Sequence, residues 1–397
     1  MSLSERVNKI KPSPTMEITA KAKSMKENGI DIIGFGAGEP DFDTPDFVKD
    51  AAKKALDEGK TKYTDAPGLP KLRDALIDTY KRDEGLDYKR SECIISLGGK
   101  HALYNIFQAI VSSGDEVIIP TPYWVSYPDQ VLLADGVPIF LETREEDNFL
   151  FTAKAIEALV TDRTKAIVVN SPSNPTGNVY DQATLESICQ VAIKNDLWVI
   201  SDEIYKDVYY GKNKLRSLPA ICPEASSKTL VCSGLSKNFS MTGWRVGWTL
   251  GDESVIKAMI KIQGQSTSNP VTFAQYGAIA ALEAGPAHVG EWLKAFRNRR
   301  DTLLKVLKQI DGISCLKPEG AFYLFPNISG LYGKEWSGGK IMNSYDVTRF
   351  LLEQARVAVV PGAPFGAPNN IRFSYALNID DINKGIDRIK EAVALLK

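Results

Sequence analysis

The chain has 397 residues, 44% hydrophobic and 24% charged, with 48 Lys and Arg against 49 Asp and Glu, a formal net charge of −1. At roughly 150 residues per domain this suits two or three domains, large enough to hold a core without disulfides or metals. The near-neutral balance excludes a nucleic-acid or membrane-surface binder that works by bulk positive charge. The five cysteines, at 93, 189, 222, 232 and 315, form no CxxC, and the two histidines, His101 and His288, form no HExxH. Neither a disulfide framework nor a metal site is expected. The cysteines read as reduced, apolar packing residues of a cytoplasmic chain. No signal-peptide core opens the sequence and no run reaches about 18 apolar residues, so no membrane association is expected.

In chain order, residues 16–28 predict a polar helix, followed by a short apolar run at 31–35 and the turn-rich stretch GAGEPDFDTP at 36–45. From about 46 to 283, short β-rich runs alternate with helical patterns. The runs are 93–96, 116–120, 166–170, 197–201 and 229–232. Residues 102–111 predict a helix with Leu103, Ile106, Phe107 and Ile110 on one face, and 185–194 predict another. Unbroken apolar strands separated by helices indicate a mostly parallel α/β sheet covered on both faces. After about 284 the texture changes to a long charged helix at 291–307, strand-like pieces at 321–325, 357–360 and 371–375, and a closing helix at 380–396. The expected division is a large α/β domain, 46–283, and a smaller α+β domain made of 1–45 with 284–397.

Ligands of an open α/β sheet bind beyond the carboxyl ends of its strands, so the residues after each strand carry the functional reading. They are Gly98-Gly99-Lys100, Asn170 to Gly177 with Asn174, Asp202-Glu-Ile-Tyr205, and Ser233 to Lys237. Gly98-Gly99 before a helix fits a phosphate cradle, because free amides and the helix dipole meet there. Alone, the signal is weak, and a tight strand-to-helix turn is the more ordinary reading. Dinucleotide and P-loop readings fail. Gly34-Phe-Gly36-Ala-Gly38 is followed by Glu39 and Pro40 rather than by a helix, and Gly339-Lys340 is followed by Ile341. Lys237 lies in a small-residue turn, with Arg245 eight residues on and Asp202 three residues before Tyr205. A lysine for a Schiff base, an aspartate for a pyridinium nitrogen, a tyrosine for a phenolic oxygen and an arginine with glycines for a phosphate are what pyridoxal phosphate requires.

The motifs AGEPDFDTP (37–45), KYTDAPGLPKLRDAL (62–76), GGKHAL (98–103), PYWVSYPD (122–129), NSPSNPTG (170–177), SDEIY (201–205), SKNFSMTGWRVG (236–247) and IRFSYA (371–376) span nearly the whole chain. Together they resemble fold-type I pyridoxal-phosphate enzymes, and more closely class I aminotransferases of the bacterial aspartate aminotransferase branch, the Iβ subgroup. The resemblance implies a large domain with a mostly parallel seven-stranded sheet, plus a smaller α+β domain. It implies that Lys237 carries the cofactor and shuttles the proton at the substrate Cα. Asp202 would pair with the pyridine nitrogen, Tyr205 and Asn174 would hydrogen-bond the phenolic oxygen, and Trp124 would stack on the ring. Arg245, Ser236 and the amides of Gly99 and Lys100 would hold the phosphate, joined by Tyr63 of a second subunit, so that a homodimer shares its active sites. Arg372 would grip the substrate α-carboxylate, and Gly38 would let the backbone approach it.

One feature of the other aspartate aminotransferase branch is missing: residues 265–270 offer no arginine for a distal carboxylate. The Iβ pattern associates Lys100, Ser13 and Thr15 with that carboxylate, and all three are present. Lys11 keeps prephenate open as a second acidic keto substrate. The resemblance therefore implies amino-group exchange between L-aspartate and 2-oxoglutarate. Aromatic, alanine or prephenate amination, and a pyridoxal-phosphate C–S lyase, are alternatives on the same scaffold. A non-catalytic regulatory domain is disfavoured, because no helix-turn-helix with a basic region precedes residue 40.

Overall fold

In the computed structural model, which describes residues 3–12 and 14–397 apart from the side chains of 14–16 and 19, the apolar runs of the middle of the chain form one seven-stranded sheet. Its strands are β1 (Cys93–Ser96), β2 (Glu116–Pro120), β3 (Val137–Leu141), β4 (Thr164–Asn170), β5 (Trp198–Asp202), β6 (Thr229–Gly234) and β7 (Gly247–Leu250). The spatial order is β1-β7-β6-β5-β4-β2-β3. Only β7 runs antiparallel to its neighbours; the pairs from β6 to β3 are all parallel.

The pleat explains the continuous apolar runs. Val117, Ile119, Val168, Ile200 and Leu230 pack on one face against Leu103, Ile106 and Phe107 of the helix Gly99–Ile110. Ile118, Ile167, Val169 and Val199 pack on the other against Leu185 and Ile188 of the helix Gln182–Lys194. With both faces covered, a strand has no solvent side on which to place polar residues.

Two strands of this sheet were not expected. The edge strand β3 contains Pro138 and is buried only at Leu141, so it lacks the signature of an interior strand. The second, β7, is only four residues long, starts at Gly247, the last residue of the motif 236–247, and has no period of its own. Its reversal matters, because it leaves β1 parallel to β6. The loops after β1, β4, β5 and β6 thus leave the same edge of the sheet. In that edge Asn170 pairs with Asp202, and Asp202 with Cys232.

The rest of the chain packs beside this sheet. Ile33–Gly34 pairs in parallel with Val357–Ala358. Val360–Pro361, Ile371–Ser374 and Tyr323–Leu324 form an antiparallel sheet. The apolar run at 357–360 is therefore split between two sheets. Phe35, Phe296, Leu303, Phe322, Val357, Phe373 and Ile386 share one core, which ties the N-terminal segment to the C-terminal part. The helices Val289–Leu307 and Ile379–Ala394 fall within two residues of expectation at each end. Among the described residues no helix is long and apolar enough to cross a membrane.

Candidate active site

Beyond the shared strand edge lies a cavity of about 350 Å³, whose lining includes Gly38, Lys100, Trp124, Asn174, Asp202, Tyr205, Ser236, Lys237, Arg245 and Arg372. Residues from 38 to 372 in the sequence thus meet in one place. Lys237 follows β6 directly, and its Nζ donates to the carbonyl of Gly38 at 2.6 Å. Burial pushes this ammonium down to about 8; Arg372 and Arg245 add to the depression, while Glu39 and Asp202 oppose it.

Asp202 ends β5 and is 4% exposed. Burial raises its carboxyl to about 6, against hydrogen bonds from Tyr127 and the Ile204 amide and the charge of Lys237. The Tyr127 hydroxyl donates to Oδ2 at 2.6 Å and the Ile204 amide to Oδ1 at 3.2 Å. Asn170 Nδ2 donates to the Asp202 carbonyl at 3.1 Å, so the strand end itself is tethered. Trp124 meets Tyr127 edge-on, with centroids 5.3 Å apart. Tyr205 is buried, with its hydroxyl 2.7 Å from that of Tyr323.

Arg372, which also lines the cavity, is 2% exposed. Its Nη1 donates to Asn174 Oδ1 and its Nη2 to the Gly36 carbonyl, both at 2.9 Å, while Nε has no partner. Its guanidinium lies 4.6 Å from the centroid of the Tyr323 ring. No carboxylate pairs with it among the described residues. Burial lowers its pKa, the mark of a cation held without its counter-charge.

Arg245 is a second cation in the lining. Arg245 adopts a left-handed backbone, φ 57°, and its Nη1 donates to the Thr242 carbonyl at 2.7 Å. Its guanidinium lies against Gly98, where a Cβ would come within 2.7 Å of Nη2. Gly98 has φ 87° and precedes the helix Gly99–Ile110, whose first amides have no partner within the helix. Only glycine combines that dihedral with that approach. Ser236 is buried beside Lys237. Gly38 is similarly constrained, since a Cβ there would stand 2.9 Å from the Tyr323 hydroxyl.

Most of the expected site residues are therefore brought together. Lys100 lines the cavity with its Nζ 5.0 Å from the Trp124 ring centroid. Loss of water lowers its pKa, Arg245 adds to this and Asp129 opposes it. Tyr63 is not brought in: it is 90% exposed, on a loop away from the cavity. Ser13 lies outside the described residues, and so does the side chain of Thr15. Tyr127 and Tyr323 were missed in the sequence, and Asn170 was noted only as the start of a strand-end loop, without a role. Tyr127 sits one helical turn after Trp124 within the same quoted motif, a usable signal. Tyr323 read as part of an apolar strand, and nothing local marks it.

Comparison with known proteins agrees with this geometry. The family model for aminotransferase class I and II matches residues 30–389. The chain is 46% identical over 393 residues to an aspartate aminotransferase of Bacillus subtilis, covering 99% of each chain. It is 46% identical to a probable aspartate/prephenate aminotransferase of Aquifex aeolicus, covering 98% of each. It superposes with TM-score 0.93 on a solved structure of aspartate aminotransferase from Thermus thermophilus with maleate, at 42% identity, covering 99% of this chain and 100% of that one. The fold-type I architecture expected from the motifs is present in the mostly parallel seven-stranded sheet. The chain belongs to the aminotransferase class I and II family.

Proposed function

We propose that this aminotransferase uses pyridoxal 5′-phosphate to exchange the amino group between L-aspartate and 2-oxoglutarate. The observation that carries the reading is Arg372, a buried guanidinium without a carboxylate partner, in the lining of one cavity with Arg245, Lys237 and Asp202. A buried cation left unpaired is expensive and is kept where a ligand supplies the anion.

The donor set fits the cofactor. Arg245, Ser236 and the unpaired amides at Gly99 and Lys100 form an anion cradle in which Gly98 leaves no room for a Cβ. Asp202 lies in the wall with Trp124 and Tyr205, and the cavity volume of about 350 Å³ suits a small aromatic ligand. When bound, the group supplies an electron sink for negative charge developing at the substrate Cα.

The protein's own residues do the rest. Arg372, with its plane fixed by Asn174 and Gly36, binds the α-carboxylate through a planar fork. Lys237, with its ammonium lowered to about 8, is partly a free amine near neutral pH and can take and return a proton at the substrate Cα. Asp202, raised to about 6, is an anion above that pH and can hold a protonated ring nitrogen. Tyr205 and Asn174 supply hydrogen bonds to a phenolic oxygen, and Trp124 covers a ring face.

Lys100, with Ser13 and Thr15, is proposed to take the distal carboxylate. Support comes from the relatives named for aspartate and from a neighbour's structure named with maleate, a dicarboxylate. The Aquifex aeolicus relative, named for aspartate/prephenate, favours prephenate as a second acidic acceptor. The 90% exposure of Tyr63 supports a homodimer in which this side chain completes the partner's phosphate site. Five buried free cysteines fit a cytoplasmic setting. The division into 46–283 and 1–45 with 284–397 is supported by the pairing of Ile33 with Val357.

The test is a panel of aspartate, glutamate, alanine, phenylalanine, cystathionine and prephenate with matched keto acids, read as turnover of the cofactor-loaded protein. Preference for aspartate and glutamate is expected. Preference for alanine or phenylalanine, or elimination from cystathionine, overturns the acidic reading.

A further inference from the structure

Asp202 and Tyr205 are carried by a stretch that no helix stabilises. After β5, residues 204–207 are consecutive turns, held by i to i−3 bonds from Lys206 N to Glu203 O at 2.9 Å and from Val208 N to Tyr205 O at 2.8 Å. Asp202 and Tyr205 line the cavity; Glu203 and Lys206 do not. Their side chains enter a buried ionic cluster instead. Glu203 Oε1 accepts from Ser201 Oγ at 3.1 Å, Ser217 Oγ at 2.8 Å and the Leu218 amide at 2.9 Å. Lys206 pairs with Glu84, the last residue of the helix Pro70–Glu84, and lies 5.7 Å from the centroid of the Tyr80 ring. Glu84 Oε2 accepts from the Ser217 amide at 3.0 Å, and Arg216 Nη2 donates to the Glu84 carbonyl at 2.8 Å.

Glu84 and Glu203 are 4% and 5% exposed, so the cluster is a true interior one. Stability alone is a weak reason for it, because apolar residues of similar volume serve as well or better, whereas fixing one geometry is a well-attested use of buried ionic groups. Each partner here is tied to a rigid element: a helix end, the strand β5, or the segment 216–218. Every anchor converges on the turn whose other side faces the cavity.

We infer that the Glu203–Lys206–Glu84 cluster is a positioning device, which fixes the turn so that Asp202 and Tyr205 hold their aim into the cavity. The inference rests on the proposal that these two side chains face pyridoxal phosphate. A misplacement of about 1 Å at such groups costs on the order of a hundredfold in rate, and the cluster opposes it through contacts that touch no ligand.

The experiment uses cofactor-loaded Glu203→Gln and Lys206→Met proteins. Four quantities are read: the pH midpoint at which the bound cofactor's absorbance changes, affinity on re-adding pyridoxal phosphate to stripped protein, Tm, and the split of kcat from KM for aspartate. Positioning predicts a midpoint moved by at least about half a unit, affinity and kcat each lower by about tenfold, and aspartate KM changed by less than about threefold because Arg372 is untouched. A merely structural cluster lowers Tm and leaves midpoint and affinity at the parent values, which overturns the inference. If Lys206→Met does not fold, the nearly isosteric Glu203→Gln decides by the same criteria. A parent protein that shows no cofactor absorbance at all removes the cofactor reading itself. A normal parent with unshifted variants removes only the positioning role.

Discussion

Replacing Arg372 by lysine keeps a cation in place and removes the fork. The guanidinium now gives one nitrogen to Asn174 Oδ1 and one to the Gly36 carbonyl, with Nε unpaired. An ammonium on a flexible stem cannot satisfy both fixed acceptors and still present two parallel donors to a carboxylate. Two separate losses follow. Leaving one buried acceptor unpaired costs the fold about 1–3 kcal/mol. Reducing a two-bond clasp on the substrate to a single charge-assisted bond costs about 1.5–3 kcal/mol of binding, or roughly ten- to a hundredfold in kcat/KM. Every amino acid carries the α-carboxylate, so the loss should be shared. The assay is the single-turnover reaction of loaded Arg372→Lys protein with aspartate, glutamate, alanine and phenylalanine, followed by cofactor absorbance, with Tm measured alongside. Losses for the four substrates should agree within about threefold. A loss confined to aspartate and glutamate would place Arg372 at the distal carboxylate, and an unchanged rate with alanine would refute the clasp.

Lys100→Ala should lower kcat/KM for aspartate by about ten- to a hundredfold, through a distal carboxylate left without a cation, with alanine and phenylalanine much less changed; equal losses for all would assign Lys100 to the phosphate side. In cofactor-free protein the Lys237 amine titrates at about 8. Its acylation by a small reagent should therefore rise about tenfold per pH unit below that value and level off above it, whereas an ordinary surface lysine keeps rising to about 10.4; peptide mapping that finds no levelling contradicts the depressed value. The same shift makes the unloaded protein pay for its buried ammonium below pH 8, a penalty relieved as the pH rises towards the unfolded-state value. Mixing Tyr63→Phe with Lys237→Ala protein should restore part of the activity if subunits share sites, since some heterodimers then hold one intact site; no gain after verified subunit exchange speaks against sharing.

Legibility in the sequence followed burial. The strands Glu116–Pro120 and Trp198–Asp202 announced themselves because both faces are covered, which makes the interior runs 117–119 and 199–200 continuously apolar. Val137–Leu141 did not, because an edge strand that is half exposed needs no such run. Lys237 and Asp202 stood out as charged residues at the ends of apolar strands, a placement that costs free energy without a ligand, whereas Arg372 was pointed to by the resemblance alone. Tyr323 carried no such contradiction, because a tyrosine in an apolar strand is ordinary. The ionic cluster was hidden for another reason: Glu84 and Lys206 are separated by 122 positions, and each alone reads as a surface charge. Tyr63 is the converse case. Its exposure is visible in the structure, and the resemblance alone implies a second subunit to cover it.

We propose that Lys237 holds pyridoxal phosphate covalently, in the cavity that Arg245 and Arg372 also line. Borohydride reduction of the cofactor-loaded protein, followed by proteolysis and mass mapping, tests it directly. The account predicts one reduced adduct, on the peptide carrying Lys237, absent from Lys237→Ala protein with the fold retained. An adduct on Lys100 or any other lysine in a fully active protein, or turnover without a reducible bond, would contradict it.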